Sequence, residues 1–357
     1  PNFMHILRDA GYEIGHWRKA WGPGDYTIGG YTEHPCGPES KFIDFMAKRD
    51  DSKPFCFWFG TSDPHRGYKL NSARDSGIDI DAVHVPEFYP NEEVIRSDIA
   101  DYYIEVQRWD SDVAAAIKLL EDAGQLENTI VLMTGDHGMP FPRCKGNLYN
   151  WGARVPLAIR WGKRIPAGRT LTDFVSLTDL APTLLTAADC QIPGVMTGKN
   201  LLPIHTSNAE GRVDPAHDFI VIGRERHVPA QKMPSMAGYP SRAIHNDRWL
   251  LVLNLMPDRW PVGVPEGATH PMGVHADTDG GPTKSFLIEH KGDLAIRKYY
   301  DLAFAKRPAV ELYDCQADPD NVNNLVDDPK YAQTIKTLSE QLAEYLGKTS
   351  RKPAKAI

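Results

Sequence analysis

The sequence predicts an α/β protein with a mostly parallel central sheet flanked by helices, followed by a smaller C-terminal α+β subdomain built on an antiparallel sheet. A uniformly apolar run at 55–60 and an apolar run rich in β-branched residues at 128–133 are typical of buried parallel strands, and residues 92–124 carry apolar side chains at helical spacing. Further on, strand-like segments at 219–223 and 239–256 indicate antiparallel strands. We place the boundary between a domain at 1–210 and a subdomain at 211–357.

The other elements follow from the same periodicities, taken in chain order. A short amphipathic helix opens the chain and ends before Gly11. A helix at 178–185 has Thr178 or Asp179 as its N-cap, with Pro182 tolerated in the first turn. The remaining predictions are a strand at 12–17, a helix at 41–49, strands at 154–161 and 311–314, a hairpin turn at 245–248 and a closing amphipathic helix at 329–347.

Composition excludes several classes of protein. The chain has 357 residues, of which 41% are hydrophobic and 24% charged, as in ordinary globular proteins. No apolar run reaches the length that spans a bilayer, and the net charge of −7 argues against a surface that binds nucleic acid. Five scattered cysteines form no zinc motif or disulfide framework. We therefore expect neither a membrane nor a nucleic-acid partner, and the oligomeric state stays open.

Asp136 and His137 form the centre of the predicted site. They lie in the sequence Thr-Gly-Asp-His-Gly at 134–138, at the carboxyl end of a predicted strand, where open α/β sheets bind their ligands. A carboxylate and an imidazole side by side are two potential metal ligands, and Gly135 and Gly138 are expected to let the backbone turn sharply. The alternative is a strand-ending turn with a surface histidine.

Several cations and a second histidine also lie in loops that follow predicted strands. Arg143 and Lys145 lie in a proline-containing loop just after this pair of ligands, and Lys19 follows the predicted strand at 12–17. His65 follows another apolar strand, and parallel strands would bring His65 and Asp136 together. A solvated lysine and a capping histidine are the alternatives for Lys19 and His65. A metal with cations nearby suits a doubly charged oxyanion ester.

These stretches together resemble the sulfatase family of the alkaline phosphatase superfamily, and within it the N-sulfoglucosamine sulfohydrolase (heparan sulfamidase) branch. The likeness runs over nearly the whole chain. It is carried by Leu7-Arg-Asp-Ala-Gly-Tyr12 running into Lys19, Asp63-Pro-His-Arg66, Gly135-Asp-His-Gly-Met-Pro-Phe-Pro142 with Asn147-Leu-Tyr149, Tyr239-Pro-Ser-Arg242, and an ending with Glu311-Leu-Tyr-Asp314, Asp318-Pro319 and Asn324-Leu325.

The resemblance implies a role for each candidate. Asp136 and His137 match half of a divalent-metal site, which usually holds calcium. Lys19, His65 and Lys145 match residues that contact the sulfate group, and His65 would hydrogen-bond the ester or protonate the leaving group. The candidates for substrate binding are Arg143, Glu225, Arg226, His227 and Arg242. For those that lie in the second domain, a solvated rim remains the alternative.

Two departures from the family pattern concern single residues. His137 stands where many relatives have Asn, and because imidazole is a poor ligand for calcium, manganese becomes the alternative metal. Trp21 stands where a second histidine after the lysine is usual, so fewer groups remain to protonate the leaving group.

The third departure concerns the nucleophile. The family's front segment, with a pair of Asp ligands and the Cys-x-Pro-Ser-Arg sequence whose cysteine becomes formylglycine, is absent from this chain. The stretch Cys36-Gly-Pro-Glu-Ser-Lys41 imitates that sequence without its arginine, and Cys56 and Cys144 lack its context altogether. We therefore expect a truncated chain with part of an active site and little or no turnover.

The sequence thus predicts a metal-dependent hydrolase of sulfate esters or N-sulfamates, with a sulfated, glycosaminoglycan-like carbohydrate as its partner. A phosphodiesterase or phosphonate monoester hydrolase of the same superfamily is the enzymatic alternative. The non-enzymatic alternative is a member that only binds sulfated glycans. The resemblance implies a periplasmic or secreted location, which an N-terminus opening on Pro1 does not itself reveal.

Overall fold

A computed structural model describes residues 2–22, 24–235, 237–267 and 273–349. The α-helices of these ranges are α1 (Phe3–Asp9), α2 (Phe42–Lys48), α3 (Ser72–Asp75), α4 (Glu93–Asp122), α5 (Asn150–Ala153), α6 (Leu180–Ala187), α7 (Leu202–Thr206), α8 (Pro282–Glu289), α9 (Leu294–Phe304) and α10 (Ala332–Thr349). The strands are β1 (Glu13–Arg18), β2 (Phe55–Gly60), β3 (Val131–Thr134), β4 (Leu157–Arg160), β5 (Phe219–Arg224), β6 (Ser241–Asn246), β7 (Trp249–Asn254) and β8 (Val310–Asp314).

The predicted fold class is confirmed. Strands β1 and β2 pair in parallel, in a register that runs from Glu13 opposite Phe55 to Arg18 opposite Gly60. Strands β3 and β4 form a second two-stranded sheet, and β5 to β8 form an antiparallel sheet in sequential order. The hairpin between β6 and β7 turns within the predicted 245–248 segment.

Asp179 occupies the N-cap position of α6, as predicted, but its side chain makes no capping hydrogen bond to that helix. The helix is preceded by a 3₁₀ turn at Leu177–Asp179, and Ser176 caps that turn. The Ser176 hydroxyl accepts from the backbone, while the Asp179 carboxylate accepts from the backbone N–H of Ser176 at 2.8 Å. This reciprocal arrangement is a capping box. The side-chain cap therefore belongs to the turn, two residues upstream of Thr178.

The described chain divides into two compact units, and each unit consists of three segments. The first contains 1–65, 105–132 and 159–216, and the second contains 66–104, 133–158 and 217–357. The predicted division at 210/211 is a single cut in the chain and stays a prediction about domains, although one segment boundary falls close to it, at 216/217.

The core of the first unit forms where helices cover the parallel strands. Met4 and Ile14 belong to one buried cluster, which joins α1 to β1. On α2, the rings of Phe42 and Phe45 each lie 4.9 Å from the ring of Phe57 on β2. Spacing of three residues on a helix and alternation on a strand produce this contact, as the sequence pattern predicts.

In the second unit, the antiparallel sheet is covered on both faces. Successive residues of β7 point to opposite sides, so Leu250 and Leu251 belong to different apolar clusters. Leu251 packs with Leu338 and Leu342 of α10, while Leu250 packs with Tyr149 of the loop that follows Lys145. The sheet therefore supports the backbone of that loop.

Among the described residues, no helix combines the length and apolar character that crossing a bilayer requires.

A buried ion pair in the second unit gives a test of the fold. The guanidinium of Arg66 donates to Asp98 at 3.0 Å, and Asp98, which is 2% exposed, also accepts from Thr283 Oγ1 at 2.7 Å. We expect Asp98→Asn to lower the free energy of unfolding by about 3–5 kcal/mol, because the variant leaves the guanidinium buried without its counter-charge. Equilibrium unfolding in urea measures this change.

Asp122→Asn is the matched control, since it breaks an exposed ion pair with Lys118 on α4. We expect it to change the free energy of unfolding by less than about 0.5 kcal/mol. Equal effects of the two substitutions would contradict the importance assigned to the buried pair.

Candidate functional site

Lys19 follows β1, and its backbone packs against the end of β2. A side chain at Gly60 would lie 1.8 Å from the carbonyl oxygen of Lys19, so only glycine permits this approach. The indole of Trp58 also donates to the same carbonyl, at 3.2 Å. Parallel pairing of β1 with β2 therefore fixes the start of the Lys19 loop at the carboxyl end of both strands.

His65 lies in a turn that begins at this same edge, five residues after β2 ends. Its backbone N–H donates to Ser62 at 2.9 Å, and the Thr61 hydroxyl donates to the carbonyl of Asp63 at 2.7 Å. Arg108 of α4 donates to the Asp63 carboxylate at 2.9 Å, and this guanidinium holds the pKa of Asp63 below its usual value. The segments that carry Lys19 and His65 thus both begin at the carboxyl edge of the β1–β2 sheet, and the convergence of their side chains in one site stays a prediction.

Asp136 and His137 directly follow β3 with one intervening glycine. His137 Nδ1 donates to the carbonyl of Gly138 at 2.7 Å, because a carbonyl can only accept. The lone pair of the neutral ring then lies on Nε2, which is 3.5 Å from Asp136 Oδ1. An imidazole whose other nitrogen is tied to a carbonyl is typical of metal-ligating histidine.

The two glycines were expected to allow a sharp backbone turn, and the structure gives a different reason for them. Neither Gly135 nor Gly138 has a positive φ angle. Gly138 is required instead by a close approach, because a side chain there would lie 1.7 Å from the carbonyl oxygen of Trp151. At Gly135 the nearest atom would be 3.5 Å away, which is ordinary contact.

Lys145 is buried, and its ammonium has a defined partner. Its Nζ lies 2.8 Å from Asp279 Oδ2, and its backbone N–H donates to Met139 at 3.1 Å. Burial of a lysine is costly unless a counter-charge is present, and Asp279 supplies one. Gly146 follows with a φ of +75°, which turns the chain away from the lysine.

His227 lies beside this loop and contacts a second acid, the buried Asp277. Its Nδ1 lies 2.9 Å from Asp277 Oδ1, and the carboxylate also accepts from the backbone of Val228 at 2.9 Å and from Arg224. A side chain at Gly146 would lie 3.7 Å from His227 Nδ1. The structure therefore brings Lys145 and His227 into one neighbourhood, with Asp277 and Asp279 as their partners.

The sequence analysis did not identify Asp277 and Asp279, the acids that contact His227 and Lys145. They follow the undescribed residues 268–272 and belong to no regular element. The only signal in the sequence is their alternation, Asp-x-Asp, which also occurs in many solvated loops. Asp63 and Arg108 were missed as well, although Asp63 lies in a motif that carries the family resemblance.

Glu225 and Arg242 pair with one another on neighbouring strands or strand ends. Arg242 also donates to its own strand, through Ser241 at 2.9 Å, while Glu225 and Arg226 are exposed. These contacts are compatible with a solvated rim and equally with a surface that binds a sugar. Substrate binding by Glu225, Arg226 and Arg242 stays a prediction.

Arg143 has contacts that do not support substrate binding. It is buried, its guanidinium donates to the carbonyl of Leu302 at 2.7 Å and to that of Asn321, and it lies 4.0 Å over the ring of Tyr149. A guanidinium committed to backbone carbonyls and an aromatic face stabilises the interior. The structure therefore gives Arg143 a packing role, which corrects its place among the substrate-binding candidates.

Asp136 and His137 offer two potential metal donors. Within the described ranges, no group of three or more His, Cys, Asp or Glu side chains is arranged to hold a metal ion. The pair contributes one oxygen and one nitrogen donor, whereas calcium prefers six to eight oxygens. Mixed donors of this kind suit manganese or another borderline ion better, so the pair fits part of such a site.

Comparison with known proteins agrees with the geometry. Residues 40–190 match the sulfatase family. Human N-sulphoglucosamine sulphohydrolase is 30% identical over 314 residues, which are 83% of this chain and 56% of that protein. A solved structure of a protein in complex with its substrate D-glucosamine-2-N,6-O-disulfate superposes with a TM-score of 0.63 at 17% identity, covering 97% of this chain and 82% of the other.

The fold is therefore that of the alkaline-phosphatase-like sulfatases, and the chain belongs to the sulfatase family. It spans about half the length of the curated relatives that it matches. A phosphonate monoester hydrolase of Agrobacterium radiobacter shares the fold at a TM-score of 0.55 and 15% identity, covering 87% of this chain and 59% of the other.

The donor set at 136–137 leads to a prediction about metal preference. We expect this chain to bind Mn²⁺ more tightly than Ca²⁺, because His137 supplies a nitrogen ligand. Asp136→Asn and His137→Gln should each weaken Mn²⁺ binding about tenfold or more, as measured by calorimetric titration. Asp122→Asn, on the exposed side of α4, is the control. Tighter binding of Ca²⁺, or unchanged affinity in both variants, would contradict the prediction.

Proposed function

We propose that this chain contributes to a metal-dependent hydrolase of sulfate esters or N-sulfamates on glycosaminoglycan-like carbohydrates. The observation that carries the proposal is the buried ammonium of Lys145, held by Asp279 at 2.8 Å in the loop that follows Asp136 and His137. Two relatives support it: one named for N-sulphoglucosamine, and one fold neighbour whose described substrate is a sulfated glucosamine.

The residues suit sulfuryl transfer for an electrostatic reason. As the bond to the leaving group breaks, the peripheral oxygens of the sulfuryl group must stay neutralised by fixed positive charge. Lys145 supplies such a charge where little water competes, and Asp279 keeps its ammonium in place. The family resemblance assigns contact with sulfate to Lys19 and His65 as well.

The metal, when bound, would act as a Lewis acid that polarises the sulfuryl oxygens. Asp136 and His137 are the residues that would hold it. Calcium is the ion that the resemblance implies, and manganese is the ion that the donor set favours.

The nucleophile is proposed to come from outside these 357 residues. Burial raises the pKa of Cys36 to about 11 and that of Cys144 and Cys56 to about 12. Each side chain is enclosed by the core and lies outside a Cys-x-Pro-Ser-Arg context. We therefore propose little or no turnover of 4-nitrophenyl sulfate by this chain alone, and a readily measured rate would contradict that statement.

The enzymatic alternative is a phosphodiesterase or phosphonate monoester hydrolase. Assays of the complete gene product with aryl sulfate, N-sulfoglucosamine, aryl phosphodiester and phenylphosphonate monoester distinguish the two. A preference for the phosphorus esters would replace the proposed function. A periplasmic or secreted location stays a prediction from the family resemblance.

The sulfate-binding role of Lys145 is testable without turnover. We expect the chain to bind N-sulfoglucosamine and to discriminate against glucosamine, and we expect Lys145→Ala to weaken binding of the sulfated sugar about tenfold or more, since a charge-assisted contact is lost. Isothermal titration calorimetry measures both.

The matched control is Lys118→Ala, which removes an exposed lysine of α4 that pairs only with Asp122 in the described contacts. Its affinity for the sulfated sugar should equal that of the wild type. Equal binding of sulfated and unsulfated sugar, or an unchanged affinity in Lys145→Ala, would refute a sulfate-binding function at this lysine.

A further inference from the structure

We propose that His227 donates the proton to the leaving oxygen or nitrogen during sulfuryl transfer, and that Asp277 is the residue that positions it. The inference rests on the proposed function and adds to it a specific proton donor. It starts from the contact between His227 Nδ1 and Asp277 Oδ1, which is 2.9 Å long.

The contact with Asp277 indicates which nitrogen exchanges a proton in the proposed step. A carboxylate oxygen is an acceptor, so at 2.9 Å the hydrogen belongs on His227 Nδ1. In the proposal, Nε2 is therefore the nitrogen that gives up and regains a proton. No contact of His227 Nε2 occurs among the described hydrogen bonds, and the side chain is 34% exposed. The exchanging nitrogen is thus open to a ligand or to water.

Asp277 is itself held in place by several donors. It is 5% exposed, and besides His227 it accepts from Val228 N at 2.9 Å and from the buried guanidinium of Arg224. These donors satisfy both carboxylate oxygens, so the acid cannot rotate away from the imidazole without losing charged contacts. An imidazole held in this way keeps its orientation through a catalytic cycle.

The location of His227 links it to the sulfate-binding lysine. Gly146, the neighbour of Lys145, has a φ of +75°, and a side chain there would lie 3.7 Å from His227 Nδ1. Glycine therefore both turns the loop and leaves room for the ring. A ligand whose sulfuryl oxygens contact Lys145 would have its leaving atom in the neighbourhood of His227.

The proton and electron balance of the step is simple. The S–O or S–N bond breaks, and its electron pair stays on the leaving oxygen or nitrogen, which takes the proton from His227 Nε2. The sulfuryl group forms a new S–O bond with an oxygen nucleophile of the hydroxyl class, whose proton passes to solvent. His227 becomes neutral with hydrogen on Nδ1 and regains a proton at Nε2 from water.

Leaving groups of different basicity test the role. The complete gene product is assayed with 4-nitrophenyl sulfate, whose leaving group needs no proton, and with N-sulfoglucosamine, whose leaving amine does. We expect His227→Gln to lower kcat/KM about 100-fold or more on N-sulfoglucosamine and less than about fivefold on 4-nitrophenyl sulfate. Asp277→Asn should show the same selective loss, because an amide can present a donor to the ring and reverse its tautomer.

His65→Gln and His84→Gln are the comparison variants. We expect His65→Gln to lose activity equally on both substrates, and His84→Gln, at an exposed histidine away from these contacts, to retain it on both. An equal loss of activity on the two substrates in His227→Gln would overturn the role of His227. A selective loss of activity on N-sulfoglucosamine in His65→Gln alone would overturn it as well. A wild type that hydrolyses neither substrate overturns the proposed function, and this role with it.

A second measurement covers the case in which a variant fails to fold. Nitrogen-15 NMR of the 357-residue chain with labelled histidine reports the tautomer of His227 directly. We expect hydrogen on Nδ1 in the neutral form, and loss of this tautomer in Asp277→Asn with the other histidine signals unchanged. Hydrogen on Nε2 in the wild type would overturn the assignment of the exchanging nitrogen.

Discussion

Two carboxylates, the buried Asp277 and the partly buried Asp279, impose the constraint on which the second unit's candidate site depends. Asp279 pairs with Lys145, and Asp277 pairs with His227 and Arg224. Charges removed from water must be paired closely, since an unpaired buried ion costs several kcal/mol. The short segment that bears both acids therefore holds basic side chains of two separate stretches of chain. On the proposed function, Lys145 and His227 would contact an anionic substrate.

Glycines at close backbone contacts complete that constraint. Gly60 lets the carbonyl of Lys19 approach the end of β2, and Gly138 lets the segment after His137 approach the carbonyl of Trp151. Gly152 is equally restricted, because a side chain there would lie 2.3 Å from the carbonyl of Cys144. A side chain at any of these positions would force the backbone that carries a candidate residue to move. The functional loops are thus positioned by main-chain packing as well as by charge.

Periodicity predicted those elements that bury an apolar face, but it did not identify the helices α8 and α9. The apolar run at Phe55–Gly60, the helix α4 and the hairpin of β6 and β7 all appear where the sequence places them. The residues after strand ends were also identifiable, and the segments that carry Lys19 and His65 do begin at one sheet edge. Their convergence with Asp136, His137 and Lys145 stays a prediction.

The partners of the site residues could not be predicted, since they depend on contacts distant in sequence. Asp279 is 134 residues from Lys145, and Asp277 belongs to no strand or helix. Arg143 shows the same difficulty in reverse: from sequence it is a loop cation like Lys145, yet its guanidinium is bound to interior carbonyls. Tertiary packing decides whether such a cation is available to a ligand or is bound to interior carbonyls, and the sequence alone does not show that packing.

The most direct test of the account is a crystal structure of the chain with N-sulfoglucosamine. We predict sulfate oxygens within hydrogen-bonding distance of Lys145 Nζ, with Asp279 still paired to the ammonium and His227 Nε2 facing the nitrogen or oxygen that leaves. A sulfated sugar bound elsewhere on the molecule, with Lys145 contacting only Asp279, would contradict the central claim.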